Sequence, residues 1–578
     1  SWATEKTEYI AKIRYYDYGA YKAVDDKYKN SPLPVGGEYS QDENKTVSWN
    51  WRNSLSYDKV FNGVHALTTM LGLELSSTKN TGFSSTAYGY LKYRGKSFAQ
   101  VPTVLINPYG KTEYANELMK KFTRKVTDRK TNQLGAYLTM NYAYDGKYVV
   151  NFSVRLDASN RFGRYANENF NPVWAGGLRW NVSREAWFSK QNIVSDLSLR
   201  FSYGYQRNMA TNYSPSLIVK VPTGALSEIT DLNTGDDLLE ISSLPYEDLR
   251  WEKTSTLNFG MDFMLLGRLT GSFDVYRRYS SDLLVNKSID PSLGFDGKAR
   301  ANNGEMQNNG VELSLSYDWL KKRDMSFTTS FSAAYNKNEI KKVDYEPTDA
   351  LDMMREPTSN YKMGDTYNSL YAYRYAGLTA TGDPSVYDEN GNVISIEQVR
   401  NVNAVVCVGQ LTPKWNGALQ LDFRWKGLNV FAKVVYYTGH ALRDDVVTLY
   451  DPYNAIEGGA IHEDISRRWT PEHTDTDIPA MGLHTNVGER NYHWKYADVN
   501  TESASFIKLR NIGVSYTLPQ GLVSKLKMKG ITVKAQVDNL CYWAANKRDI
   551  DPEAFNANTG TRTDAIMPSY VLGLNVKF

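Results

Sequence analysis

Five of the six histidines, His440, His462, His473, His484 and His493, fall in or at the edge of one stretch, beside Glu463, Asp464, Asp475 and Asp477. Imidazoles and carboxylates are what a zinc centre draws on, but ligands need defined short spacings. This set has neither HExxH nor a comparable close pair. Solvated loop histidines account for it, and no metal is expected there. Oxygen donors suited to calcium recur at Asp388, Asn390 and Asn392. Val393, however, stands where a calcium loop needs Gly, so a plain Asn390-Gly391 turn is preferred and a structural calcium is the alternative. No GxSxG is present and no Ser/His/Asp set stands out, so the chain is not expected to be an enzyme or to hold a cofactor. Cys407 and Cys541 allow one disulfide at most and form no CxxC pair.

What remains is recognition chemistry. Aromatic faces stack on sugar rings, while amides and carboxylates bond hydroxyls or peptide backbones. Tyr88, Tyr90, Tyr361, Tyr367, Tyr371 and Trp494 are the candidates for substrate or partner contact. Such residues also pack against a partner protein or against one another, and the sequence leaves both readings open.

The 578 residues that must position them carry 67 basic and 64 acidic side chains, a net charge of +3, which excludes a nucleic-acid binder working by bulk electrostatics. Mean hydropathy is −0.51 and no run of 18 apolar residues exists, so no transmembrane helix is available. With 42 Tyr and 13 Trp the composition is neither disordered nor helical but β-rich. The chain opens Ser1-Trp2-Ala3-Thr4 without an initiator Met, as expected of a processed chain or a piece of a longer one.

Period-two alternation runs from end to end. In 196–206, Leu197, Leu199, Phe201, Tyr203 and Tyr205 oppose Ser198, Arg200, Ser202, Gly204 and Gln206. A soluble sandwich alternates too, but its strands average about 5–6 residues. Here the runs reach about 10–14 residues and many end on an aromatic, as a tilted membrane-crossing strand requires. The fold class expected is all-β, a transmembrane antiparallel β-barrel of about sixteen strands. They lie near 6–18, 45–57, 62–76, 131–144, 147–158, 171–182, 194–208 and 249–263. The rest lie near 268–280, 304–319, 325–338, 411–424, 427–440, 503–517, 530–541 and 567–578.

Tight turns at Tyr57-Asp58-Lys59-Val60, Asp145-Gly146, Leu265-Leu266-Gly267-Arg268, Lys321-Lys322-Arg323-Asp324 and Lys426-Gly427 alternate with long connections. The longest span about 77–130, 209–248, 339–410 and 441–502, and YAYRYAGL at 371–378 is assigned to the third. Short turns on one side and long loops on the other suit a periplasmic and an extracellular face. The terminal strand SYVLGLNVKF places Tyr570, Leu572, Leu574, Val576 and Phe578 on one face. That is the pattern of a barrel-assembly signal, with the C-terminus periplasmic; a barrel ending on an arbitrary residue is the plainer account.

Several segments then carry a resemblance. YEDLRWEKTSTLNFGMDF at 246–263, NNGEMQNNGVELSLSYDW at 302–319, RRWTPEHTDTDIPA at 467–480, ASFIKLRNIGVSYTLP at 504–519, ITVKAQVDNL at 531–540 and DPEAFNANTG at 551–560 are similar, in this order, to segments of the SusC/RagA family of TonB-dependent outer-membrane transporters. The segment from Gly382 to Asn392 resembles the family's "G-D… D-x-N-G-D-G" loop, with Asn392 where the family has Asp. The resemblance implies a 22-stranded barrel in the outer membrane of Bacteroidota, importing oligosaccharides or peptides. It also implies an N-terminal plug, a TonB-contacting segment, a SusD-like lipoprotein partner and a dimer of the transporter–lipoprotein pair. No plug is recognisable here. The 578 residues are therefore expected to be the C-terminal barrel part, with the plug and remaining strands on another segment or chain. A lipoprotein scaffold without active import, or a passive sixteen-stranded porin, are the alternatives.

Overall fold

In the computed structural model the described residues are 2–6, 37–98, 124–160, 172–188, 192–208, 218–220, 240–243, 246, 249–288, 298–344, 347, 349–355, 360–444, 463–481, 487–559, 561–564 and 566–578. One large antiparallel sheet dominates them. Its strands are β1 (Trp2–Lys6), β2 (Gly37–Phe61), β3 (His65–Leu91), β4 (Arg124–Tyr144), β5 (Tyr148–Ser159) and β6 (Val173–Asn181). They continue as β7 (Val194–Asn208), β8 (Glu252–Leu265), β9 (Leu269–Ser288), β10 (Lys298–Lys322) and β11 (Met325–Lys342). The last are β12 (Trp415–Trp425), β13 (Leu428–Thr438), β14 (Phe506–Thr517), β15 (Gly530–Ala544) and β16 (Ser569–Lys577), and a two-residue strand, Ser97–Phe98, adds to the end of β3. Each pairs antiparallel with its sequence neighbour, and among the described residues β1 and β16 do not pair with each other.

Register turns the alternation of single strands into continuous rows. Leu178 of β6 faces Phe201 of β7, which faces Phe259 of β8, which faces Val275 of β9. All four side chains are exposed, as lipid-facing ones must be, and the opposite face carries the hydroxyls, amides and charges. Aromatics crowd both margins. Tyr144, Tyr148 and Trp180 form a stacked row near the short turns, with successive centroids 6.4 Å apart. Trp174 and Tyr203, 5.7 Å apart, and Tyr335 and Trp415, 4.7 Å apart, lie toward the long connections. Trp415 and Trp425 bracket β12. Ten residues at about 3.3 Å, tilted about 40°, give roughly 25 Å, the height of an apolar membrane band.

The structure moves some boundaries. The first hairpin turns at Asn62-Gly63, with φ of 50° and 73°, and not at Tyr57–Val60. Asn-Gly tolerates positive φ at both central positions, whereas Tyr57 keeps its ladder place opposite Thr69. Strands also run beyond the apolar band: β3 continues to Leu91, inside the connection drawn from 77, and β9 and β10 pair out to Ser288 and Lys298. Backbone groups leaving the band still need partners, so the ladder continues where apolar contrast has ended. Of the strand expected near 6–18, residues 7–36 lie outside the described residues; only β1 is seen, paired with 38–42.

Close packing on the polar face is tightest where an aromatic crosses a glycine. Tyr276 of β9 lies over Gly310 of β10, and a Cβ there would overlap the phenol ring. Gly310→Val is therefore expected to lower stability by about 1–3 kcal/mol through forced displacement of that ring. The measurement is the midpoint of heat-dependent gel mobility, and an unchanged midpoint would show that the wall yields freely.

Candidate functional site

Two features could act on a solute: the polar wall of the sheet and the module built by its long connections. On the wall, inward residues of adjacent strands join into ion-paired rungs. Arg200 of β7 donates to Asp262 of β8 at 3.0 Å and to Asp274 of β9 at 3.1 Å, and Arg179 of β6 approaches Asp262 at 3.8 Å. A second set joins Arg52, Glu74, Arg155 and Asp157, with Arg52 2.9 Å from Glu74. Between Asp262 and Lys433 runs a band of hydroxyls, Ser316 and Ser330 lying 3.1 Å apart. It lines a groove of about 650 Å³ with Arg179, Gln420 and Lys433. Hydroxyls and amides flanked by charges of both signs suit a polar, multiply hydrogen-bonding solute.

The connections β11–β12 and β13–β14 fold onto one another. Helix α1 (Ala350–Arg355) contributes Met353 and Met354 to a buried core with Tyr371, Tyr373, Val386 and Ile396. From the second connection come Trp494, the last residue of helix α2 (Val487–Trp494), and Tyr496. The backbone N–H of Tyr373 donates to the Tyr496 carbonyl at 2.8 Å, and that of Tyr375 to Asp498 Oδ1 at 3.1 Å. The segment 371–378, assigned to a loop from the sequence, lies in small sheets of this module and not in the large sheet. The β15–β16 connection joins through a smaller core of Leu442, Ala504, Ile550 and Phe555.

Buried charges tie the three connections together. Arg548 binds Asp444 at 2.5 Å and also pairs with Asp464, itself fully buried and held by Arg467. Arg490 donates to Asp383 Oδ1 at 2.7 Å and to the Ala480 carbonyl at 2.7 Å. Lys508 holds Asp551 at 2.9 Å and Glu553 at 2.7 Å. Arg443 donates to the Tyr371 carbonyl at 2.9 Å and lies 4.7 Å from the Tyr496 ring centre; burial lowers its guanidinium to about 10. Burial also pushes the Tyr373 and Tyr375 phenols well up and brings His440 down to about 4, so that imidazole is neutral at pH 7. His493 is likewise lowered, by burial and then by Arg400, and shares a 2.9 Å hydrogen bond with the Tyr373 hydroxyl.

The expected contact residues are dispersed through these features. Tyr361 and Tyr367 are brought together, stacked with centroids 5.4 Å apart over a cleft of about 280 Å³ that includes Leu283, Val285, Met306 and Ile340. Tyr371 and Trp494 are core residues of the loop module, each 3% exposed, and the Tyr371 hydroxyl donates to Asp365 at 2.7 Å. Tyr90 is buried against Tyr39 and Phe98, at 5.1 and 5.5 Å. Tyr88 lies on β3 opposite Glu38, its side chain outside the described residues. Asp388 accepts from the backbone N–H groups of Asn390 and Asn392, at 2.8 and 2.7 Å, and from the Asn392 side chain at 2.9 Å. Those donors, the Asn392 amide first, hold the carboxyl below its usual range, which makes Asp388, Asn390 and Asn392 a closed turn. His462 and His484 lie outside the described residues, and among those described no group of three or more metal-ligating side chains gathers. Tyr570, Leu572, Leu574 and Val576 share one face of β16, opposite Val537, Ala535, Val533 and Ile531, and Phe578 follows the strand, exposed. The ion pairs binding the connections were not anticipated. The wall charges were visible as polar-face residues of single runs, but only register shows which of them meet.

An antiparallel sheet with an exposed apolar face, aromatic margins, a polar ion-paired wall and packed long connections is the wall of a transmembrane β-barrel. The family model described as "TonB dependent receptor-like, beta-barrel" matches residues 2–540, and the chain belongs to that family. It is 27% identical over 501 residues to the TonB-dependent receptor SusC of Bacteroides thetaiotaomicron, covering 79% of this chain and 46% of that protein. It is 23% identical over 591 residues to the TonB-dependent receptor P3 of Formosa agariphila, covering 94% of this chain and 54% of that protein. The RagAB peptide importer in its closed-closed state matches in fold with a TM-score of 0.73 at 24% identity, over 96% of this chain and 58% of that one. The chain thus spans about half the length of the curated relatives it matches. The SusC/RagA resemblance carried by the motifs agrees with these findings, and the matched relatives are receptors and transporters, not enzymes.

Proposed function

We propose that the chain is the barrel part of a SusC-type importer, energised through TonB, that takes up oligosaccharides or peptides with a SusD-like surface lipoprotein. The observation that carries this is the ion-paired, hydroxyl-rich wall beneath a packed loop module, in a chain of this family. In this reading the short turns and the C-terminus are periplasmic and the long connections extracellular. The plug and remaining strands lie outside these 578 residues. The loop module meets the lipoprotein, and the wall supplies passing hydrogen bonds to the solute.

The test has two parts. Affinity isolation of the protein from outer membranes is expected to bring down a lipoprotein and a plug-bearing segment. Uptake of labelled oligosaccharides and peptides is expected to be lost for one of the two classes when TonB is removed. Steady ion conductance in a planar bilayer with TonB-independent uptake would replace this reading with a passive porin. Co-isolated lipoproteins without uptake of either class would leave a scaffold.

A further inference from the structure

The outward face of β2, β3 and β4 changes character abruptly toward the long connections. Trp49 faces Ser77, which faces Asn132, and one rung nearer the short turns Trp51 faces Leu75, which faces Leu134. Between these rows lies an open groove of about 570 Å³ on the membrane side of the sheet. Its floor is polar and fixed: the buried Ser77 hydroxyl donates to Asn132 Oδ1 at 2.8 Å, and the Asn132 N–H donates to Asn160 Oδ1 at 2.8 Å. Its wall is the exposed indole of Trp49.

Trp49 lies eight residues from Tyr57 along β2. That is about 26 Å of strand and roughly 20 Å of height at a 40° tilt, which sets the groove at the margin of the apolar band. The next rung aligns Val47, Lys79 and Lys130, and the one after aligns Lys45, Thr81 and Asp128. All three lysines are exposed. Over these two rungs three lysines face one carboxylate, Asp128, which lies 3.6 Å from Lys79, a local excess of +2; Glu43 follows one rung farther out.

The geometry points to a binding site for an anionic phosphoglycolipid of the outer leaflet. Acyl chains would lie along Leu75 and Leu134, the sugar on the Ser77–Asn132–Asn160 floor against Trp49, and phosphate at Lys79 and Lys130. The charge excess fits an anion at headgroup depth. The amide and hydroxyl floor, and a volume beyond that of a bare phosphate, favour a sugar headgroup over a simple phospholipid. This inference rests on the proposed orientation with the long connections extracellular.

The test is native mass spectrometry of the purified protein titrated with lipid A, phosphatidylglycerol and phosphatidylethanolamine. Lipid A is expected to bind at least tenfold more tightly than either phospholipid. At roughly fivefold per lysine, K45Q/K79Q/K130Q should weaken lipid A binding on the order of 100-fold. The substitution should leave heat-dependent gel mobility unchanged, since all three side chains are exposed; should it not, K130Q alone, with a fivefold loss, decides. Equal binding by variant and parent, or phosphatidylglycerol matching lipid A, would overturn the site and leave lysines that merely reach the interface. Lipid binding is read on the purified protein and uptake in cells, so failure here with intact uptake, or the reverse, separates this inference from the proposed function.

Discussion

Replacing Arg548 with Ala is expected to release the β15–β16 connection and to expose 463–481 to protease, while the large sheet keeps its heat resistance. Arg548 is the shared cation of Asp444 and Asp464, both almost fully buried. Removing one partner of a buried pair costs about 3–5 kcal/mol, because the other charge is left in a medium that solvates it poorly. Arg548 is itself a quarter exposed and Arg467 stays on Asp464, so the lower end, about 3 kcal/mol, is expected. Hydrogen exchange across 463–481 and 545–559 measures it. Unchanged protection would show that the apolar cores alone hold the connections. The triple change D444N/D464N/R548M is expected to recover most of the loss, since a neutral replacement removes the desolvation penalty along with the attraction.

The second large effect belongs to Lys508, which is 1% exposed and reaches Asp551 and Glu553 from β14. Lys508→Met is expected to cost about 3 kcal/mol of docking for 545–559 at pH 7, leaving Glu553 to Arg510 and Asp551 without its cation, held by the Glu553 backbone N–H. Acid supplies a second readout. Burial works to raise the Glu553 carboxyl, but hydrogen bonds from Arg510 and Lys508 outweigh it and hold the group below its ordinary 4.5. A carboxyl depressed in the folded state adds stability above its unfolded value and loses it as pH falls through the folded one. In the parent protein, docking therefore weakens on acidification below about 4.5. Removing Lys508 takes away one of the two cations that hold this carboxyl down, so protonation comes more easily in the variant and the difference between variant and parent should shrink as pH falls from 7 to 4. Exchange protection of 545–559 at the two pH values checks the sign; a difference that grows on acidification would contradict the assignment.

Much of the frame is legible in the residues. Leu197, Leu199, Phe201, Tyr203 and Tyr205 lie on one face of β7 because a strand has period two and lipid admits no polar side chain there. Asp145-Gly146 closes its hairpin with φ of 51° and 60°, as its residue types require. Strand ends were less legible. The run Ser76 to Thr86 has no apolar contrast, yet it stays in the ladder opposite β2 and β4 because its amides need partners.

The residues alone fix the fold class, the outward face of each strand, the aromatic margins and the order of strands, since each follows from local periodicity and turn chemistry. Tertiary structure decided which charges meet. Arg548 and Asp464 are separated by 84 residues, and Lys508 and Glu553 by 45. No local pattern pairs a loop arginine with one of many loop aspartates. The partner is selected only when two connections bury a common core, as Tyr373 and Trp494 do, and a charge caught beside that core must find its counter-ion or stay in water.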